Sequence, residues 1–527
     1  MRFLPLNHRS FIVELNSLDE TLALHRALQA APPPGIEEMI PAARTLMISF
    51  AAEITTAQSL AWQMSRLSLT RPVAHNGRIV EIPVAYNGED LPEVAEITGL
   101  AVREIIRRHA ACEYSVAFCG FAPGFGYLVG GDPALAVPRR QTPRTHVSAG
   151  SVGLAGPFSG IYPQASPGGW QIIGTTPMKM WDITRAQPAL LQPGCRVRFV
   201  DLAATRREFS VPAAPVVEPP RAAVSAVQFC ILAAPLPALF QDLGRFGQAS
   251  QGVTASGALD RGALKAANRL AGNAQNEPCL ELTGGGFGFR STGSAVIAFT
   301  GAPCAICIRT ANGKTLAPAF YTPIALEAGD VLTLAAPSSG ARSYLAVRGG
   351  FKVEKTLGSA ARDTLSNIGP DPVGTGQSLL VNPAATLPPV ALFEPPAFAF
   401  PKPGETVTLD LILGPRTDWF TPESLATLRE TEWAVTAQSN RIGLRLNAEA
   451  RLERAGHAEL PSEGCVNGAV QVPPDGKPVL FLADHPLTGG YPVIGAVVGH
   501  HLDLAGQIPI GAKIRFRLIA PFQEILP

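Results

Sequence analysis

The chain has 527 residues, 46% hydrophobic and 16% charged, with 43 Lys+Arg against 42 Asp+Glu. That balance excludes a disordered chain and offers no basic surface for nucleic acid, and the length implies two to four domains. Gly (51) and Pro (49) punctuate it throughout, as in turn-rich, mainly β proteins.

Residues 1–82 read as an α+β domain. Ser17-Leu18-Asp19-Glu20 has the form of a capping box, and Leu18, Leu22, His25 and Leu28 make a helical stripe. TLMISF (45–50) and IVEIPVAY (79–86) read as strands, with a helix over 56–67 between them. Two short helices are expected over 90–110, with Asp90 and Thr98 as N-caps and Val102, Ile105, Ile106 and His109 at helical spacing. Over 83–203 short β runs separated by Gly/Pro turns take over after Tyr114, the pattern of a small barrel. A Pro/Ala-rich linker is expected over 204–226. A β domain follows over 227–390, with one helix at about Asp260–Leu270 closed by Gly272, then a β-barrel domain over 391–527. PGCRVRFV (193–200) and IGAKIRFRL (510–518) echo one another, each a turn feeding an edge strand with alternating Arg.

Eight cysteines lack disulfide spacing and no signal peptide precedes them, which predicts a cytoplasmic protein with buried, reduced thiols, Cys304 and Cys307 included. Pro235 and Pro237 interrupt the most apolar window, so no membrane span is expected. Met178-Lys179-Met180 matches the biotinylation tripeptide without a carrier domain around it. His485 and His500-His501 lack ligand partners at fixed spacing, so no metal site is expected. There is no Walker A motif.

Three Gly-rich stretches in the first half carry potential chemistry. GFAPGFGY (120–127) suits either a loop whose amides approach a ligand between aromatic walls, or a tight barrel turn over core aromatics. In 138–156, Arg139, Arg140 and Arg144 precede a Gly-rich turn; guanidinium groups grip carboxylate or phosphate bidentately, although a solvated edge would look the same. The third stretch, 159–176, carries Trp170. In the second half stand Asp242 and Arg245, Asp260 and Asn268, Asn440 and Arg441, Gln471, Asp484 and Tyr491. Asp260 reads either as a helix N-cap or as an acid/base, and His109 either as a satisfied core histidine or as a proton carrier.

The runs GFAPGFGYL, PR-x-TPR, GSVGLAG, SPGGWQIIG-x-TP and PG-x-x-VRF resemble the B subunit of bacterial 5-oxoprolinase. QDLGR-x-G, SGALD, LAVRGG, LGSAARD, SNRIGLRL, GAVQVPPDGKPV and TGGYPVIG resemble its C subunit. Both sets are also similar to the carboxyltransferase domain of urea carboxylase, subdomains C/D then A/B. The resemblance implies several cyclophilin-like β-barrels and a site where the two halves face each other. It implies ATP-dependent opening of 5-oxoproline to glutamate with a separate third subunit. Alternatives are a carboxyltransferase for urea or a related amide, using a biotin carrier in trans, and a non-enzymatic histidine-kinase inhibitor pair. A homo-oligomer is compatible with each.

Residue chemistry and resemblance together assign Arg144, Arg245 and Arg441 to anion binding and Gly124, Gly126, Gly150 and Gly153 to backbone donation. Asp260 or His109 becomes the acid/base, and Asp242 or Asp484 orients Mg²⁺ or an Arg. Asn268, Asn440, Gln471 and Tyr491 complete the expected substrate contacts. Thr175, where the family has Arg, departs from the pattern in a way that bears on specificity.

Overall fold

Alternation along the first strands decides what the N-terminal sheet touches. In this computed structural model, which describes residues 1–69, 79–140, 142, 144–205, 227–383, 390–456 and 460–527, four antiparallel strands run in the order Arg2–Asn7, Ser10–Glu14, Thr45–Phe50, Ile36–Pro41. Phe3, Phe11, Val13, Leu46 and Ile48 face the helices Leu18–Ala30 and Ala57–Ser65. Their neighbours Leu4, Ile12 and Met47 point the other way and pack on Phe481, Leu487 and Val493 of the C-terminal barrel. A sheet buried on both faces thus joins the two ends of the chain.

Ser17 caps the first helix, accepting from the Glu20 N–H at 3.2 Å. The buried stripe is Thr21, Leu24, His25 and Leu28. Leu18 and Leu22, expected in that stripe, instead pack against an aromatic cluster of the following domain.

Glu38, on the strand Ile36–Pro41, accepts the backbone N–H groups of Gly247 and Ala249, and burial pushes its carboxyl up to about 7. A folded-state value above the unfolded one makes this contribution fully present at low pH and lost as pH rises from about 4.5 to 7. The urea midpoint is therefore expected to fall across that window. Glu38→Gln removes its share, up to about 3 kcal/mol. Asp260, with the same sign, keeps part of the slope. Equal pH slopes in wild type and variant would contradict this.

The next seven strands curl, in the order Gln171–Thr175, Ser151–Ala155, Phe158–Ile161, Gly126–Val129, Glu113–Cys119, Arg196–Asp201, Ile79–Val84, and a bridge from Ala85 to Thr175 joins the two edges. Helices Leu91–Thr98 and Val102–Ala111 lie outside. Thr98 ends the first of these rather than capping the second: its hydroxyl bonds back to Val94 O and Gly99 closes the helix in the left-handed region. Asp90 precedes the first helix without a capping bond, its carboxylate being used elsewhere.

Residues 227–383 form a six-stranded and a five-stranded sheet packed over an apolar core. The helix Arg261–Ala271, closed by Gly272, lies against the five-stranded sheet. The last unit is a closed seven-stranded barrel filled by Trp433, Leu409, Ile494, Phe516 and their neighbours.

The two echoing segments occupy equivalent places. Arg196–Asp201 runs parallel to Ile79–Val84, and Lys513–Ala520 runs parallel to Thr406–Leu413. They are interior strands, not the expected edges, because each also pairs antiparallel on its other side. The alternating Arg residues face outward while Val197, Phe199, Ile514 and Phe516 fill the barrels.

The expected linker falls mostly on 206–226, outside the described residues. All eight cysteines are free, but they are not uniformly buried: Cys112, Cys230 and Cys304 are half-buried and Cys307 is exposed. No helix among the described residues is long and apolar enough to cross a membrane.

Candidate active-site cleft

The two halves meet around a cleft of about 770 Å³. The first half supplies Phe121, Tyr127, Arg139, Tyr162 and Trp170; the second supplies Arg454, Ser462, Gln471, Thr488 and Tyr491.

Its aromatic wall grows from the loop at 120–126. Gly120 is required there, since a Cβ would lie 2.6 Å from Thr488 Oγ1. The next residue, Phe121, sits in the left-handed region at φ 65° and donates its N–H to that hydroxyl at 3.1 Å. Phe125 stands edge-on to Trp170 at 5.2 Å, and Tyr127 to Trp170 at 5.5 Å. Burial pushes the Tyr162 hydroxyl up to about 12 and raises that of Tyr127, so both remain neutral donors at physiological pH. Tyr127 directs its hydroxyl toward Ser462 and Thr488.

The arginine-bearing loop is tied down by Asp90. Its Oδ1 accepts from Arg140 and from Arg144, each at 2.6 Å; its Oδ2 accepts from Arg144 at 2.9 Å and from Ile172 N–H at 2.7 Å. Arg144, expected to clamp an anion, is consumed in this anchor together with Glu89. Arg139, between the barrel and the cleft, has no carboxylate partner among the described residues and touches Ser462 Oγ at 3.3 Å. Across from it, Arg454 donates to Val472 O at 2.8 Å and lies 5.7 Å over the Tyr491 ring. Its Nε is buried without a partner.

Most other expected residues lie elsewhere. The Gly124 N–H is taken by Gln251 O and the Gly150 N–H by Tyr162 O. Gly126 and Gly153 are strand residues packed on Leu191 and Val116, and on Trp170 and Ile172. None of these four lines the cleft. His109 is buried between Tyr86 (2.8 Å) and Ser159 (2.9 Å), and burial drops it to about 3, so it stays neutral. Asp260 is the N-cap of the Arg261–Ala271 helix, bonded to Ala263 N and Gln507 Nε2 at 2.8 Å each. Burial, reinforced by Asp503, pushes its carboxyl up to about 7. Asn268 holds Glu277 O at 2.7 Å, and Asn440 caps its own turn at Ile442 N. Thr175 bonds Asn87 and does not line the cleft.

Arg441, Asp484, Arg245 and Asp242 form a buried network behind the cleft. Arg441 bonds both Asp484 oxygens at 3.0 Å, Glu281 at 2.5 Å and Gly257 O at 2.7 Å. Burial pushes the Asp484 carboxyl up, but Arg441 outweighs it and holds it below the ordinary range. Asp484 also accepts from Ser256 and Thr364, and Asp242 from Gly244, Ser359 and Ala360. With every oxygen engaged, neither carboxylate fits a Mg²⁺ site. Arg245 is buried behind them and donates to Ala361 O. Folding also brings Asp410 to His500 and His501, a grouping the sequence spacing hides. There Arg517 takes both Asp410 oxygens, at 2.5 and 2.9 Å, and His501 Nδ1 accepts the Asp410 N–H.

Of the expected residues, Gln471 and Tyr491 do line the cleft, joined by a 3.1 Å bond from Gln471 Nε2 to Tyr491 O. Arg139 belongs to the arginine run that suits an anion grip, although Arg144 is the residue of that run assigned to the clamp; Trp170 and Thr488 lie in motif-bearing stretches with no local signal that assigns them a role. Arg454 and Ser462 carry no local signal at all, because barrel closure alone brings them to the cleft.

Residues 251–518 match the family described as carboxyltransferase domain, subdomain A and B, and residues 1–191 match carboxyltransferase domain, subdomain C and D. The chain belongs to the carboxyltransferase-domain family. In it, regions like two separate proteins are fused. One is 48% identical over 126 residues to the 5-oxoprolinase B subunit of Escherichia coli O157:H7, 23% of this chain and 58% of that protein. The chain therefore spans little more than half the length of that relative. The other is 33% identical over 285 residues to the 5-oxoprolinase C subunit of Escherichia coli K12, 52% of this chain and 86% of that one. Urea amidolyase of Saccharomyces cerevisiae is 30% identical over 52% of this chain, which matches 16% of its length. The solved structure of TTHA0988 superposes with a TM-score of 0.81 at 34% identity, covering 97% of this chain and 99% of that one. The carboxyltransferase-domain boundary between subdomain pairs coincides with the cleft, since its walls come from both matched regions.

Proposed function

We propose that the chain is the substrate-holding component of an ATP-dependent amide-opening hydrolase of the 5-oxoprolinase type, converting 5-oxoproline to glutamate with a separate third subunit. The observation that carries this reading is the cleft itself. It is an aromatic-walled cleft between a half like the 5-oxoprolinase B subunit and a half like the C subunit, with arginines free of carboxylate partners among the described residues.

The cleft residues are suited to holding a ring rather than to moving protons. Trp170, Tyr127 and Tyr491 wall the space, and the neutral Tyr127 and Tyr162 hydroxyls are placed to donate to a carbonyl or carboxylate oxygen. Among the described residues no histidine lines it, and the two carboxylates that do, Glu453 and Asp475, are exposed. A hydrolytic centre supplied in trans fits that inventory. ATP supplies the drive for opening an unactivated lactam, but Asp242 and Asp484 are not the groups that hold its metal.

The test is ATP hydrolysis by the purified chain with and without 5-oxoproline, followed by glutamate release on adding a third subunit. Lactam-dependent glutamate release supports the reading. Turnover that instead requires urea and a biotinylated carrier protein replaces it with the carboxyltransferase reading, which the similarity to urea amidolyase favours.

A further inference from the structure

Arginines outnumber carboxylates among the described residues that line the cleft. Four arginines line it: Arg139, Arg140, Arg451 and Arg454. Arg140 is neutralised by Asp90 and Glu93, both at 2.6 Å. Among the described residues, Arg139 and Arg454 meet only neutral oxygens, Ser462 Oγ and Val472 O. A cation held half-buried without a counter-ion costs free energy that a bound anion recovers.

The two side chains converge on one backbone step. A Cβ at Gly490 would lie 2.9 Å from Arg139 Nη1, so only glycine lets that guanidinium approach so closely. Arg454 lies over the ring of the next residue, Tyr491, with its Nε buried and unpartnered. Arg139 comes from the first half of the chain and Arg454 from the second. The donors left over exceed what a neutral amide such as urea would engage, since urea brings no charge to offset either guanidinium.

Building on the reading that this cleft is the substrate site, we propose that Arg139 and Arg454, on either side of the Gly490–Tyr491 step, together hold the single anionic group of a small planar ligand. The aromatic wall receives the planar body. The anionic group is a carboxylate or a phosphate, since both accept from a guanidinium fork. Specificity for an anionic over a neutral amide then resides in residues contributed by both halves.

The test is isothermal titration of the full chain with L-5-oxoproline, with 2-pyrrolidinone (the same ring without its carboxylate), with urea and with inorganic phosphate. L-5-oxoproline is expected to bind roughly 30-fold or more tightly than 2-pyrrolidinone. Arg139→Gln and Arg454→Gln should each erase that difference while leaving the thermal unfolding midpoint near wild type, and Arg139→Lys should restore part of it. If both Gln variants still bind 5-oxoproline like wild type, the clamp is overturned and the lactam reading survives. Arg139-dependent binding of phosphate without binding of 5-oxoproline keeps the clamp and removes the lactam reading. Neutral ligands binding as tightly as 5-oxoproline, or no probe binding at all, would overturn the clamp.

Discussion

Arg441→Met is expected to destabilise the second half of the chain by about 3–5 kcal/mol, the cost of breaking a buried ion pair from one side. The side chain is 5% exposed and bonds Asp484, Glu281 and Gly257 O, bridging the sheets of 227–383 to the C-terminal barrel. Met fills the volume but leaves the buried Asp484 without its cation and Glu281 with only the more distant Arg342, 3.9 Å away. The Asp484 carboxyl, no longer held down by Arg441, then favours protonation, and its folded-state value rises. Its deficit should be large at pH 8 and shrink toward pH 5, whereas a simple packing defect would not change with pH. Urea titrations at both pH values read this directly. A deficit that does not change with pH would mean that Arg441 acts by volume alone. Because Asp484 also holds Ser256 and Thr364, and the chain runs from it through Pro486 to Thr488, cleft binding should weaken in parallel.

Asp90→Ala should abolish ligand binding through a different route. Its carboxylate is the common acceptor for Arg140, Arg144 and Ile172 N–H. Removal leaves Arg140 with Glu93 alone and Arg144 with Glu89 alone and leaves the Ile172 N–H unsatisfied, an expected loss of about 1–3 kcal/mol in local stability. The affected segments carry Arg139 on one side and Trp170 on the other, the two groups that frame the cleft. Asp90→Asn keeps an acceptor for Ile172 N–H but not the charge, and should fall between the two. The check is titration of ligand beside thermal unfolding for all three proteins. Undiminished affinity in Asp90→Ala would show that the arginine loop holds its place without the anchor.

Local sequence signals served the elements whose structure is local. The Ser17 cap, the Gly272 helix stop and the alternation of RVRFV and KIRFR appear where their patterns place them. The failures share a cause. Asp90 and Asp260 sit beside helix starts, and sequence alone gives no view of what else each carboxylate reaches. Asp90 spends its charge on arginines 50 and 54 residues away, and Asp260 has a partner, Gln507, 247 residues away. Arg441, Asp484 and Asp242 stand out as charged residues in Gly-rich runs, the pattern that a site and a buried structural network have in common.

The sequence by itself determined the mainly β class, the fused two-part organisation and the aromatic, arginine-bearing stretches from which the cleft is built, because periodicity, turn residues and contiguous motifs are properties of short segments. Only the tertiary structure decided which arginines are free. Arg139, Arg140 and Arg144 lie within six positions of one another, yet two are neutralised by Asp90 and one faces Gly490, 351 residues further on. A guanidinium binds a ligand only if no carboxylate of the chain reaches it first, and that depends on barrel closure and on the packing of one half against the other.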